Sequence, residues 1–189
     1  MKKYLVCLKS VLALILCKVF YRKKLSIGGI PVAVGINNIK CHMGGAICVG
    51  KRLNMYGNTV LLSLEDGKLK IGNAVYFNRN CNVVCRHSIE IGDECRFGPN
   101  VCVYDHDHQY SKDGVTDEFK LGSVKIGKKC WFGANVVILR DSIIGEGCVI
   151  GAGVVFKGKL PSHSIVYYDN NKLIIKKIDN NDNSSNNNV

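Results

Sequence analysis

From Ile71 onward an aliphatic or aromatic residue returns every six positions. The series runs Ile71, Phe77, Val83, starts again at Ile91, Phe97, Val103, and again at Ile126, Phe132, Ile138, continuing through Ile144, Ile150 and Phe156. Glycine follows many of these starts, at Gly72, Gly92, Gly98, Gly127, Gly133, Gly145 and Gly151. A small or β-branched residue sits four positions after each start, as at Val75, Cys81, Cys95, Val101, Cys130, Val136, Ser142, Cys148 and Val154. Helices repeat near 3.6 residues and single strands at two, so neither sustains a period of six. A solenoid of short strands and tight turns does, with one residue per face pointing inward and glycine or asparagine taking the strained turn positions. Three hexads make one triangular turn of eighteen residues, the spacing from Ile126 to Ile144. From Ile71 to Ile91 is twenty, which places a two-residue bulge near residues 88–90. The pattern is regular over residues 49–160. Before that, Val49, Met55 and Leu61 make one further turn with Leu53 and Thr59 inward, and residues 27–46 an irregular one.

The repeat also accounts for the cysteines. Ten cysteines in 189 residues invite a disulfide framework. Yet Cys81, Cys95, Cys130 and Cys148 all occupy the small inward position, where a free thiol packs as a small apolar group. No CxxC pair argues for a metal site. Reduced core thiols point to the cytoplasm.

The formal charge of +11 calls for acidic partners: nucleic acid, an anionic membrane or a phosphorylated cofactor. No basic motif with interleaved aromatics supports nucleic acid. Residues 1–26 form an apolar, basic N-terminal segment read as a short helix. Lys9 and Lys18 interrupt its apolar run, the uninterrupted stretch 11–17 is too short to span a bilayer, and no small-residue cleavage site follows. The basic "YRKK" after it fits a helix lying on a cytoplasmic membrane surface, and packing on the body of the protein or on a second subunit fits equally well. Residues 27–165 form the solenoid, 166–178 a C-terminal strand or extension, and the asparagine-rich 179–189 a disordered tail.

The period fails once. After Val103 it is lost until Val124, and the intervening 105–123 begins "DHDHQYSKDG". A solenoid that extrudes such a loop has a reason, and functional loops on rigid scaffolds are the usual one. Asp105, His106, Asp107 and His108 stand at its base. Three uses are open to them: metal ligation, general-base catalysis, or a solvated loop. The other histidines do not fall at matching hexad positions, which disfavours a metal site shared between coils. His87 falls at or near an inward position and is read as a satisfied core or interface histidine.

Four stretches, "FGPNVCVYDHDH", "SVKIGKKCWFGANVVIL", "IIGEGCVIGAGVVFK" and "YFNRNCNVV", resemble the hexapeptide-repeat acyltransferases. They lie within residues 71–161 and look most like the galactoside and maltose O-acetyltransferases and their polysaccharide O-acetyltransferase relatives. The resemblance implies an all-β, left-handed parallel β-helix and a homotrimer with active sites at the subunit interfaces. It implies acetyl-CoA as donor, a sugar hydroxyl as acceptor and no metal. The family's catalytic histidine falls on His108, its site tryptophan on Trp131 and its acceptor-contacting asparagine on Asn78. The turn amide facing the thioester falls on Ala134, with Gly133 and Ala152 beside the coenzyme path. Lys157, Lys159 and Lys172 are candidates for its phosphates.

Asp105 or Asp107 is the candidate to orient His108, and His106 a substrate contact. The chain departs from the galactoside branch where an acidic pair becomes Cys85-Arg86. Arg86 and the positive charge would suit an anionic glycan, such as a surface or capsular polysaccharide. The alternatives are a small-sugar acetyltransferase and a metal-dependent β-helix enzyme of the carbonic-anhydrase type.

Overall fold

The computed structural model describes residues 19–178 together with Leu12 and Leu16. Apart from a helical stretch ending at Tyr21 and a 3₁₀ turn at Arg22–Lys24, these residues are strands and turns. Short strands stack in parallel into three sheets of seven, eight and six strands. The chain visits the first, second and third sheets in turn, giving six coils of a left-handed β-helix and the start of a seventh. The solenoid begins at Leu25, two residues before the expected boundary, because Leu25–Ile27 pairs in parallel with Ala46–Val49. Most of the expected N-terminal helix, and the 179–189 tail, lie outside the described residues.

The hexad predicts the core. Every residue at the repeat start is buried, and so is each small residue four positions later, Thr59 and Ser142 included; exceptions to that second position, His87 and Asp107 among them, fall at the third corner. Phe77, Phe97 and Phe132 stack along the second sheet, with centroids 4.6 and 4.5 Å apart and rings nearly parallel. Such contacts add about 0.5–1.5 kcal/mol per pair beyond the area buried. The inward thiols join coils as well: Cys95, Cys130 and Cys148 donate to the carbonyls of Gly127, Gly145 and Pro161 at 3.0–3.1 Å.

Most corners carry a residue with positive φ. Between the second and third sheets that residue is Asn58, Asn80, Asn100, Asn135 and finally Gly153, with φ between 59° and 74°. The four asparagines form a ladder, each side-chain amide donating to the next carbonyl oxygen at 3.3, 3.1 and 2.9 Å. Asparagine tolerates the left-handed conformation and here bonds its own copy in the next coil.

All irregularity falls on the third corner, from the third sheet back to the first. The steps from Ile71 to Phe77 to Val83 are six residues in every coil. Across the third corner the interval is ten from Leu61 to Ile71, eight from Val83 to Ile91, six from Ile138 to Ile144 and four from Phe156 to Leu160. The bulge expected at 88–90 is therefore misplaced. Ser88–Ile91 is a regular strand, and the extra residues lie in the corner at Arg86 and His87. His87 is exposed there, not inward. The 105–123 loop leaves from this same corner as an antiparallel hairpin of His106–Ser111 and Gly114–Leu121. At the C-terminus, Ser164–Asp169 continues the second sheet and Lys172–Lys177 folds back antiparallel on it.

Candidate active site

Asp105 is fully buried at the hairpin root. Its carboxylate accepts the amides of Arg86 at 2.9 and 3.1 Å and of His87 at 2.8 Å. Arg86 and His87 make the one third corner between Leu61 and Ile144 that has no positive-φ residue, and the aspartate from the next coil closes it instead. Asp105 Oδ1 also lies 2.9 Å from His106 Nδ1. Burial pushes the carboxyl's pKa up, but the bonds from His106, Arg86, His87 and Cys85 outweigh it and hold it below the usual carboxylate range. The neighbouring Cys85 thiol is driven far above its ordinary range by burial and by this negative charge.

His106 is thus fixed through Nδ1, with its ring side chain 13 % exposed and its edge against Tyr104 and Phe119. His108 points elsewhere. It is exposed, packs a tilted ring on Phe119 at 4.4 Å, and has no hydrogen-bond partner among the described residues. It lines an open cavity of about 360 Å³ with Asp107, Gln109, Tyr110, Lys120 and Arg140. The aspartate expected to orient His108 therefore orients His106. Asp107 is taken by Arg140, whose Nε lies 2.5 Å from its Oδ2.

Arg140 is a site residue that the sequence did not mark. It is buried and pairs with Asp141 as well as Asp107, fastening the hairpin to the coil after it. Charged residues stand at other third corners too, as at Glu65, Asp66 and Arg86, and Asp141 is its neighbour, so nothing in the sequence set Arg140 apart. Arg86 is also committed: it pairs with Glu65, and its guanidinium lies 3.6 Å over the Phe119 ring. It is not free to meet a glycan.

Trp131 and Asn78 lie on another side of the solenoid. They line a cavity of about 400 Å³ on the outer face of the second sheet with Tyr76, Arg96, Asn54 and Gly98. Trp131 is 54 % exposed. Asn78 accepts the Arg79 amide at Oδ1. Ala134 and Ala152 stand on the second corner in successive coils, and the amides of both lack a hydrogen-bond acceptor among the described residues. Gly133 lets these coils meet: a Cβ there would fall 2.6 Å from the Ala152 nitrogen. Lys157 and Lys159 are on the third corner and the first sheet, with Lys157 3.9 Å from Asp141, and Lys172 begins the C-terminal strand. Lys157 and Lys159 stand away from the second corner that carries Ala134, Lys172 lies at the second-corner end of the second sheet, and His108 and Trp131 line separate cavities.

No three His, Cys, Asp or Glu side chains among the described residues converge as metal ligands.

Comparisons with known proteins show what this geometry is similar to. Residues 123–158 match the family described as bacterial transferase hexapeptide (six repeats). A probable acetyltransferase of Mycobacterium tuberculosis is 29 % identical over 142 residues, 64 % of this chain, and the aligned region spans 47 % of that relative's length. A galactoside acetyltransferase solved with coenzyme A is 28 % identical, with TM-score 0.53 over 60 % of this chain and 57 % of that one. A variant of AntD, an N-acyltransferase from Bacillus cereus solved with dTDP and coenzyme A, shares the fold at 19 % identity, with TM-score 0.65 over 88 % and 89 %. With its coils closed by positive-φ corners and its core built on a period of six, the chain carries the repeat that the bacterial transferase hexapeptide family matches over residues 123–158.

Proposed function

We propose that this protein is an O-acetyltransferase that moves acetyl from acetyl-CoA to a sugar hydroxyl, with His108 as the general base. The observation that carries the assignment is the placement of His108: open to a cavity at the root of the hairpin, while His106 beside it is locked to Asp105. A histidine suits the step because its pKa lies near working pH. His108 takes the hydroxyl proton as the oxygen attacks the thioester carbonyl, and coenzyme A leaves as the thiol. The unpaired amides of Ala134 and Ala152 are available to the oxyanion and to the pantetheine arm. His108 and Trp131 sit on different faces of one solenoid, so the site is completed by a second copy, as in a closed trimer.

Two inactive variants test this directly. His108→Ala and Trp131→Ala subunits, co-expressed, regain activity in roughly a quarter of the sites if each site takes one residue from each neighbour. No recovery overturns the shared site. The acceptor is read as a surface or capsular polysaccharide or its precursor, assembled at the cytoplasmic face of the membrane. Leu12, Leu16, Val19 and Phe20 support the location: they are helical, exposed and spaced along one face, next to Arg22, Lys23 and Lys24. Cosedimentation with anionic vesicles checks it. Acetylation of free galactosides or maltose alone, with no polymer acetylated, would replace the polysaccharide assignment with the small-sugar one.

A further inference from the structure

We propose that the cavity on the second sheet recognises the carboxylate of an acidic sugar, and that Arg96 is the residue that reads it. The assignment rests on the acetyltransferase reading only in calling that sugar an acceptor. Strand register sets Asn54, Tyr76, Arg96 and Trp131 in a single outward column, one per coil. Arg96 thus stands between two aromatic side chains, one coil from each. Unlike Arg86 and Arg140, which are tied to carboxylates of their own chain, it is exposed and has no ion pair among the described residues. No acidic side chain lines the cavity.

The chemistry of the walls matches one class of ligand. Tyr76 and Trp131 offer ring surface to the apolar face of a pyranose. Asn78 uses Oδ1 on its own turn and keeps its NH₂ free, while Asn54 uses its NH₂ on the Arg52 carbonyl and keeps Oδ1 free. The cavity therefore presents one donor and one acceptor for hydroxyls. Its volume of about 400 Å³ is that of a small-ligand cleft. The guanidinium supplies a planar fork that a carboxylate fills bidentately. A single unpaired cation with no lysine beside it balances one negative charge, which favours a uronic or nonulosonic acid over a phosphate dianion.

The test uses a matched pair, methyl β-glucuronide and methyl β-glucoside, titrated against the full-length protein by ligand-observed NMR. The two differ only in carboxylate against hydroxymethyl, and no acetyl donor is needed, so a failure of transfer and a failure of recognition are seen separately. The wild type is expected to bind the glucuronide about tenfold or more tightly, a preference of roughly 1.4 kcal/mol. Arg96→Gln is expected to bring the glucuronide down to the glucoside level, and Arg96→Lys to fall between, since it keeps the charge and loses the fork. Equal binding of the two sugars by the wild type, binding of neither, or a preference that survives in Arg96→Gln overturns the proposal.

Discussion

The Asp105 carboxylate and the His106 imidazole are joined at 2.9 Å, and the same carboxylate holds the Arg86 and His87 amides of the preceding coil. One buried charge therefore ties the hairpin root to the solenoid. Replacing it by asparagine trades charge-assisted bonds for neutral ones, at a cost of about 2 kcal/mol or more. Because the folded carboxyl titrates below its unfolded value near pH 4, its contribution is present above that pH and is lost as pH falls toward the folded value. Denaturant titrations from pH 7 to 2 should show wild type losing stability on acidification more steeply than Asp105→Asn. Parallel curves would show that the carboxylate does not carry this charge in the fold.

The two histidines should separate in kind. His108→Ala is expected to lower kcat by about 10²–10⁴-fold while leaving the thermal midpoint near wild type, as befits an exposed base. His106→Ala should lower the midpoint, because it leaves a buried carboxylate short of one partner. Thiol release from acetyl-CoA and differential scanning calorimetry on both variants decide it. Full activity in His108→Ala would move the base to another residue.

Arg140 predicts a different signature. Arg140→Met removes the ion pairs to Asp107 and Asp141 that fasten the hairpin but keeps much of the packed stem. Hydrogen exchange of residues 106–121 should accelerate selectively, with core amides such as those of Phe97 and Phe132 unaffected. Uniform acceleration would place Arg140 in the global fold instead.

The asparagine ladder can be probed at Asn100, whose φ is 61°. Alanine there pays the left-handed penalty of about 1–2 kcal/mol and also breaks two ladder bonds. Glycine breaks the same bonds without the steric penalty, so Asn100→Gly should be the milder change in urea denaturation. Equal losses in the two variants would show that the amide chain, not the backbone, sets the cost.

Much of this solenoid was legible in the chain because an inward position of a β-helix recurs at fixed spacing. Ile71, Phe97 and Cys130 announce themselves by arithmetic alone. The third corner was not, since its length changes from coil to coil and leaves no period to follow. That is why the extra residues at Arg86 and His87 were assigned one strand too late. Site partners were hidden for a related reason. Asp105 looked equally able to serve either histidine, and the choice depends on a carboxylate reaching back nineteen residues to an amide. The pairing of Arg86 with Glu65 and of Arg140 with Asp107 likewise joins different coils, which linear spacing does not reveal.

Two corners keep a six-residue step in every coil, and the third alone varies, from four residues to a hairpin. Segments of any length can be spliced in there without disturbing a single rung of the stack above or below. The molecule thus resembles a loom with one open selvedge: the weave stays constant, and new recognition elements are hung along a single edge. Exchanging the 106–121 hairpin for another is the engineering step this architecture makes cheapest, and a grafted chain should retain the thermal midpoint of its solenoid provided Asp105 remains to close the corner.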